Sequence, residues 1–449
     1  MLSITALADA LADGAVTARA LVEESLRLID DPATEGDRAF LLVAADRALA
    51  EADGVDAARA EGKSVPRFAG VPFAVKDLFD VAGEVTTAGS TLLRGHDPAA
   101  ADAPVVARMR EVGFILIGRT HMTEFAYSGL GLNSHYLTPR PPWERRVGRI
   151  PGGSSSGSGV VVADGIVPAA LGTDTGGSCR IPAAFNGVVG YKPTASGVPI
   201  EGVFPLAISF DSVGSITNSV EDCAIVHDVL SGGAGEVPVA REVIGLRLGA
   251  VQNVVLETLD PTVASEYAAA LDVLREAGAE IVDVTLPELD DLSNHDAGTA
   301  IGRFEVFRWH QDLLEDGANE YDPRVRSRIE AGRTVTNEDY LEALAYRNML
   351  KASVWSRVAE LDAVVLPTVA VVPPVLAGLE HEAGEVYRAA NRAVLRNTAI
   401  GNFLDACAIS IPIPTGGAPV GLMLMGPPEG DVRLFESALA VESALRAGR

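Results

Sequence analysis

Apolar positions recur along this chain at two spacings, and each spacing predicts a different element. Near the N-terminus Leu2, Leu7 and Leu11 follow a helical period, Asp13-Gly14 stops the run, and Thr17 stands where it can cap a second helix. A further Ala-rich helix is predicted over about 42–61. The stretch "FAGVPFAVKDLFDVAG" then supplies a short apolar strand from Val71 to Val75, ending at Lys76. Residues 102–117 read as a helix, a Gly break and a buried strand. Helix-then-strand units return at 262–285 and at 340–367, where a long helix leads into "LDAVVLPT". Continuous apolar strands alternating with helices predict an α/β fold around a sheet buried on both faces.

Between these units, 287–357 is more charged and mostly helical, and reads either as a cap over the sheet or as outer helices. The Pro/Gly-rich stretches 138–153 and 412–428 are flanked by apolar segments and are predicted to be ordered loops rather than linkers. With no repeat or low-complexity tract, one large domain over 1–449 is the expected organisation.

Composition narrows the function classes. Acidic residues number 61 against 36 basic ones, a net charge of −25, so the surface repels phosphate backbones and anionic lipid. Neither a nucleic-acid nor a membrane partner is expected. Cys179, Cys223 and Cys407 are far apart with no CxxC pair, which disfavours a disulfide framework or structural zinc and suits a reducing compartment. Asp9 and Asp13 stand where a secretion signal needs apolar residues, and no apolar run reaches the roughly 18 residues of a membrane span. A soluble, cytoplasmic protein is expected.

Candidate chemistry concentrates in "GRIPGGSSSGSGVVVADGIVPAALGTDTGGSCRIPAAF", residues 148–185. The seven histidines form no HxxxH or HExxH pattern, and neither a P-loop nor a strand-linked GxGxxG is present, so no metal or cofactor is predicted. Gly153-Ser154-Ser155-Ser156-Gly157 matches the GxSxG nucleophile elbow with Ser155 at its centre. That motif needs a strand before it, and "PRPPWERRVGRIPG" carries too many prolines and charges to be one.

The second cluster is better placed. "DGIVPAALGTD" gives a turn and an apolar strand, after which the N–H groups of Thr175, Gly176, Gly177 and Ser178 can form a nest for an oxyanion. Ser178 then stands where an acyl nucleophile belongs, although an isolated GGS is also an ordinary turn. Lys76, ending an apolar run, is a base candidate, because a desolvated Lys can shed its proton; alone it also fits a snorkelling side chain. Cys179, beside Ser178, invites a thiol reading, which the lack of a neighbouring His disfavours.

Taken in order, "GVPFAVKD", "GGSSSGSG" and "GTDTGGSCRIP" resemble the core of the amidase signature family. The resemblance continues through "GRTHMTEFAYSG", "FNGVVGYKPT", "SFDSVGSITNSVEDCA", "LDAVVLPT" and "PVGLMLMGP", nearly the whole chain. It implies a mixed, mostly parallel twisted sheet covered by helices on both faces, with the catalytic core at 60–230.

It also implies a Ser–Ser–Lys triad, with Ser178 as nucleophile, Ser154 as bridging serine beside a cis peptide bond, and Lys76 as base. Asp174, Arg180 and Ser155 match positions that brace the site, the first two suggesting a buried ion pair. Met122, Phe125 and Tyr127 match a segment that often lines the substrate channel, and they equally fit a core. Asp405 and Cys407 replace a glycine and a proline of the family pattern near the acyl pocket, where Asp405 either selects a polar acyl group or caps a turn.

The implied activity is hydrolysis of a small-molecule amide through an acyl-enzyme, extending to esters or carbamates, with a neutral-to-alkaline optimum from the lysine base. The alternative is a glutaminase-type subunit of a tRNA-dependent amidotransferase. A homodimer is implied by the family alone.

Overall fold

Eleven strands form one continuous sheet in the computed structural model, which describes residues 3–381 and 383–448. They are β1 (Phe40–Val43), β2 (Pro72–Lys76), β3 (Ile115–Thr120), β4 (Ala169–Thr173), β5 (Val189–Lys192), β6 (Val213–Thr217), β7 (Arg247–Val251), β8 (Glu280–Val284), β9 (Ala363–Pro367), β10 (Cys407–Ile413) and β11 (Val420–Gly426). Their order across the sheet is β1-β3-β2-β4-β6-β5-β10-β11-β9-β7-β8. Every residue of β2, β3, β4, β6, β9 and β11 is buried, as a sheet packed on both faces requires, whereas the edge strands β1 and β8 are partly exposed.

The sheet is mixed, but its parallel share is smaller than the family resemblance implied. Only β2–β3, β2–β4, β7–β8 and β7–β9 are parallel; the other pairings are antiparallel. The reason is connectivity. The 414–419 link between β10 and β11 is too short for a crossover and closes a hairpin, which enters the middle of the sheet antiparallel to both β5 and β9. The same hairpin corrects the loop expected over 412–428, since Val420–Gly426 is a fully buried strand. The stretch 138–153 holds no helix or strand, as expected, apart from an isolated bridge between Arg149 and Val375.

Helix ends follow local chemistry. Thr17 Oγ1 accepts from Ala20 N at 3.1 Å and starts the helix Ala18–Ile29. The first helix covers Ile4–Ala12, and Leu2, which entered its expected period, lies outside the described residues. The helix expected over 42–61 is Ala45–Ala60, because the apolar run Phe40–Val43 pairs with β3 as an edge strand instead. Gly113 breaks the unit at 102–117: at φ +101° a Cβ there would sit 2.5 Å from Ala69 Cα.

Residues 287–357 fold into the helices Pro287–Ser293, Ala297–Gly317, Pro323–Glu330 and Asn337–Arg357, the last opened by a Thr336–Asp339 capping box. Ile301, Val306, Leu350 and Val354 join them to the apolar core that also holds β2, β3 and β4. A second core gathers β5, β7, β9, β10 and β11 with the helices Val220–Leu230, Pro261–Glu276 and Asp431–Ala447. Among the described residues no helix is long and apolar enough to cross a membrane.

Candidate active site

Parallel β2 and β4 end side by side, so their last residues, Lys76 and Thr173, open at the same edge of the sheet. The Lys76 ammonium donates to Ser154 Oγ at 2.7 Å and to Thr173 Oγ1 at 2.8 Å. Lys76 is completely buried, and burial brings its pKa down from 10.5 to about 7, with Asp174 and Asp211 offsetting part of the fall. A neutral amine is therefore accessible near pH 7, which is what a lysine base needs. Thr173 went unmarked in the sequence, where it was only the residue closing an apolar strand.

The first Gly-Ser cluster holds Ser154 against Lys76. The Gly153–Ser154 peptide bond is cis. Thr123 N donates to Ser154 O at 3.1 Å and Gly153 N to Gly129 O at 2.8 Å, so the 123–129 segment fixes the cluster from one side. Ser155 joins it to the second cluster: its N–H donates to Ser178 O at 3.3 Å and its hydroxyl to Thr173 O at 3.3 Å. The helix Ser156–Ala163 and strand β4 then carry the chain back to Ser178. Ser178 is joined to the first cluster through its carbonyl, by the bond from Ser155 N, and its hydroxyl forms no hydrogen bond with another described residue.

Asp174 and Arg180 form an ion pair at 2.8 Å with both side chains fully buried. Burial would raise the Asp174 pKa, but the Arg180 charge and the hydrogen bonds from Arg180 and Asn402 hold it well below the usual carboxylate range. The same carboxylate accepts from Gly177 N at 2.8 Å and Cys179 N at 3.1 Å. This corrects the four-donor nest: Gly177 N–H is committed to Asp174, whereas the N–H groups of Thr175, Gly176 and Ser178 bond no other described residue. Asp211 steadies the other end of the loop by accepting from Thr175 Oγ1 at 2.5 Å, and Thr398 Oγ1 donates to Gly176 O at 2.7 Å.

The thiol reading fails on chemistry, and no histidine stands beside either serine. Burial, reinforced by Asp174, pushes the Cys179 thiol far above its ordinary range, which keeps it protonated. His121, hidden from the sequence reading by its distance along the chain, lies with Nδ1 2.7 Å from Ser156 Oγ. Burial lowers its pKa to about 3, and it touches neither Ser154 nor Ser178. Among the described residues no group of three His, Cys, Asp or Glu side chains is placed to hold a metal ion.

A narrow recess reaches Thr173, Asp211 and Ser212 between apolar walls from Ala126, Ile200, Val203, Phe204, Pro205 and Leu206. The expected pocket residues are not among its walls. Met122 is completely buried, and Phe125 stands behind the wall with its ring 5.3 Å from that of Phe204 and 4.6 Å from His310. Tyr127 is half-buried under the Arg328 guanidinium at 4.0 Å. Asp405, at φ +54°, pairs with Lys351 at 3.0 Å and accepts from Ala195 N, which makes it a turn residue. Cys407 lies in β10 with its thiol donating to Pro427 O at 3.3 Å. Met122 and Phe125 thus stand in the apolar core and Asp405 in a turn, one of the two places their sequence context allowed.

A family model described as Amidase matches residues 20–435, and the chain belongs to that family. It is 36% identical over 406 residues to the 2-amino-5-chloromuconic acid deaminase of Comamonas testosteroni, covering 90% of this chain and 87% of that protein. It is 33% identical over 488 residues to a glutamyl-tRNA(Gln) amidotransferase subunit from Thermobifida fusca (strain YX), covering 99% and 96%. A solved structure described as a crystal structure of amidase superposes with a TM-score of 0.88 at 32% identity, covering 99% of each chain. The chain is accordingly a hydrolase of C–N amide bonds with the α/β architecture of that family.

Proposed function

We propose that this chain is a cytoplasmic amidase that hydrolyses a small-molecule amide through an acyl-enzyme on Ser178, with Ser154 as bridging serine and Lys76 as base. The observation that carries the reading is the buried Lys76–Ser154 contact of 2.7 Å, with the amine titrating near 7, beside a loop in which three N–H groups bond no other described residue. Neutral Lys76 accepts the Ser154 proton as Ser154 accepts that of Ser178. Ser178 Oγ then bonds to the carbonyl carbon, whose oxygen gathers negative charge and meets the N–H groups of Thr175, Gly176 and Ser178. When the C–N bond breaks, Ser154 gives its proton to the leaving nitrogen and is reprotonated by Lys76. Water hydrolyses the ester by the same relay.

Residues 60–230 are the catalytic core in this reading, since Lys76, Ser154, Ser178 and Asp211 all fall within it. The 287–357 helices act as a cap, supported by the bonds from Arg328 to Tyr127 O and from Arg347 to Ser209 O. The apolar walls of the recess favour an uncharged group on the substrate. The second reading, a glutaminase-type subunit, draws on the likeness to the Thermobifida fusca protein over 99% of the chain. The purified single chain, assayed with aliphatic, aryl and carbamate substrates beside glutamine, separates the two. Turnover of apolar amides without glutaminase activity is expected; ammonia from glutamine alone would transfer the case to the second reading.

A further inference from the structure

The 287–357 segment supports the 174–178 loop indirectly, through Arg347 and Glu305. Arg347, on the helix Asn337–Arg357, is almost fully buried with its guanidinium 4.6 Å over the Phe210 ring. Its three nitrogens bond three different carbonyls: Nε donates to Phe403 O at 2.8 Å, Nη2 to Asn402 O at 3.0 Å and Nη1 to Ser209 O at 2.8 Å. The first two lie at the end of the helix Glu385–Phe403, where Asn402 O also accepts from Asp405 N at 3.2 Å. The third ties that helix to a different loop.

Both tied segments support the same few residues. Two positions beyond Ser209, Asp211 accepts from Thr175 Oγ1 at 2.5 Å and is itself held by Leu206 N and Ala207 N. On the other side, Asn402 Nδ2 donates to Asp174 Oδ1 at 2.8 Å and to Asp174 O at 2.9 Å, while its Oδ1 accepts from Arg180 Nη2 at 2.7 Å. Asp174 and Thr175 are consecutive and open the loop that ends at Ser178. A planar guanidinium with its donors in a fixed fork sets the spacing of the two supports, which a flexible ammonium does not do. Ser209 is additionally gripped by Glu305, whose carboxylate accepts from its N–H at 2.9 Å and from Tyr340 at 2.7 Å, so both ties arise in the cap segment.

We infer that Arg347 is a positioning residue for the amide-hydrolysing site, holding the Asp174–Ser178 loop in register by spanning Ser209 and Asn402. The inference rests on the Ser178 reading and adds that the cap segment sets the rate of the covalent step, not only access. A shift of the order of 1 Å in donors aimed at a developing oxyanion costs roughly 100-fold in rate. A residue that merely completed the helix end would lower stability and leave that step alone.

The test is the labelling kinetics of Ser178 with an alkyl fluorophosphonate, which forms an oxygen–phosphorus bond at Oγ as fluoride leaves. In Arg347→Gln and Arg347→Lys the limiting rate kinact is expected to fall about 10- to 100-fold while KI stays within about twofold and the pH dependence set by Lys76 is unmoved. Combined with Thr175→Val, the losses should be less than multiplicative, because both changes release one loop. Arg357→Gln, on the same helix but paired with Glu288, should leave kinact unchanged. An unaltered kinact in the folded Arg347 variants, multiplicative losses, or failure of both variants to fold would overturn the inference. Labelling that survives Ser178→Ala, or no labelling of the wild type, would instead remove the Ser178 reading on which it rests.

Discussion

Replacing Lys76 with Met removes the proposed base and, with it, a buried charge whose cost depends on pH. In the unfolded chain this lysine titrates near 10.5, and in the fold near 7, with no exposed surface to screen it. The gap of about 3.5 corresponds to about 5 kcal/mol of preference for the neutral amine. The sign follows from proton counting. Between about pH 7 and 10.5 the unfolded state binds one more proton than the folded state, so this site's contribution to stability rises with pH by about 1.4 kcal/mol per unit. Below pH 7 both states are protonated and the folded state bears the whole penalty.

Met is free of that penalty but leaves the Ser154 and Thr173 hydroxyls without their partner, each costing about 1–3 kcal/mol. Lys76→Met should therefore be as stable as the wild type or more so at pH 6, and less stable at pH 10, while being inactive throughout. Urea unfolding of both proteins at unit intervals from pH 6 to 10 measures the difference directly. A difference that stays constant from pH 6 to 9 would mean that Lys76 keeps its proton in the fold, and the base assignment would fall.

Ser154→Ala should lower turnover by about 10²–10⁴-fold with the fold intact, read as kcat beside a thermal melt, because it removes the hydroxyl proposed to relay between Lys76 and Ser178. Asp174→Asn should cost about 3–5 kcal/mol in chemical denaturation, since it leaves the fully buried Arg180 charge unbalanced. Gly177→Ala should abolish activity: at φ +130° its Cβ would lie 2.1 Å from Thr398 Oγ1 and 2.5 Å from Thr398 Cβ. Adding Thr398→Ala should not restore it, as the second clash and the backbone strain remain; recovered turnover would show that the loop tolerates a side chain.

Local chemistry made the ends of the site readable and its supports unreadable. Lys76 and Ser178 are legible because a charge ending an apolar strand is costly and the glycines before Ser178 allow close backbone approach. Ser154 comes from the family resemblance alone, since the triple serine read locally points to Ser155. Thr173 and Asp211 carry equal structural weight, yet Thr and Asp at the ends of strands are ordinary residues whose partners lie 97 and 36 positions away. The Gly177 correction has the same origin: its N–H is spent on Asp174, a geometric fact that composition does not encode. In the sheet, period and apolar runs located β2, β3, β8 and β9, whereas the β10–β11 hairpin hid behind the Pro and Gly residues that flank it. Asp405 and Cys407 show as departures from the family pattern, but their partners Lys351 and Pro427 lie 54 and 20 positions away, beyond the reach of local pattern.

In the proposed mechanism Ser178 forms the covalent intermediate. Peptide mapping by mass spectrometry after reaction with a fluorophosphonate places the adduct on one residue. An adduct on Ser178 is expected in both the wild type and Cys179→Ala, formed faster as pH rises through about 7. An adduct on Ser155, or one lost with Cys179, would contradict it.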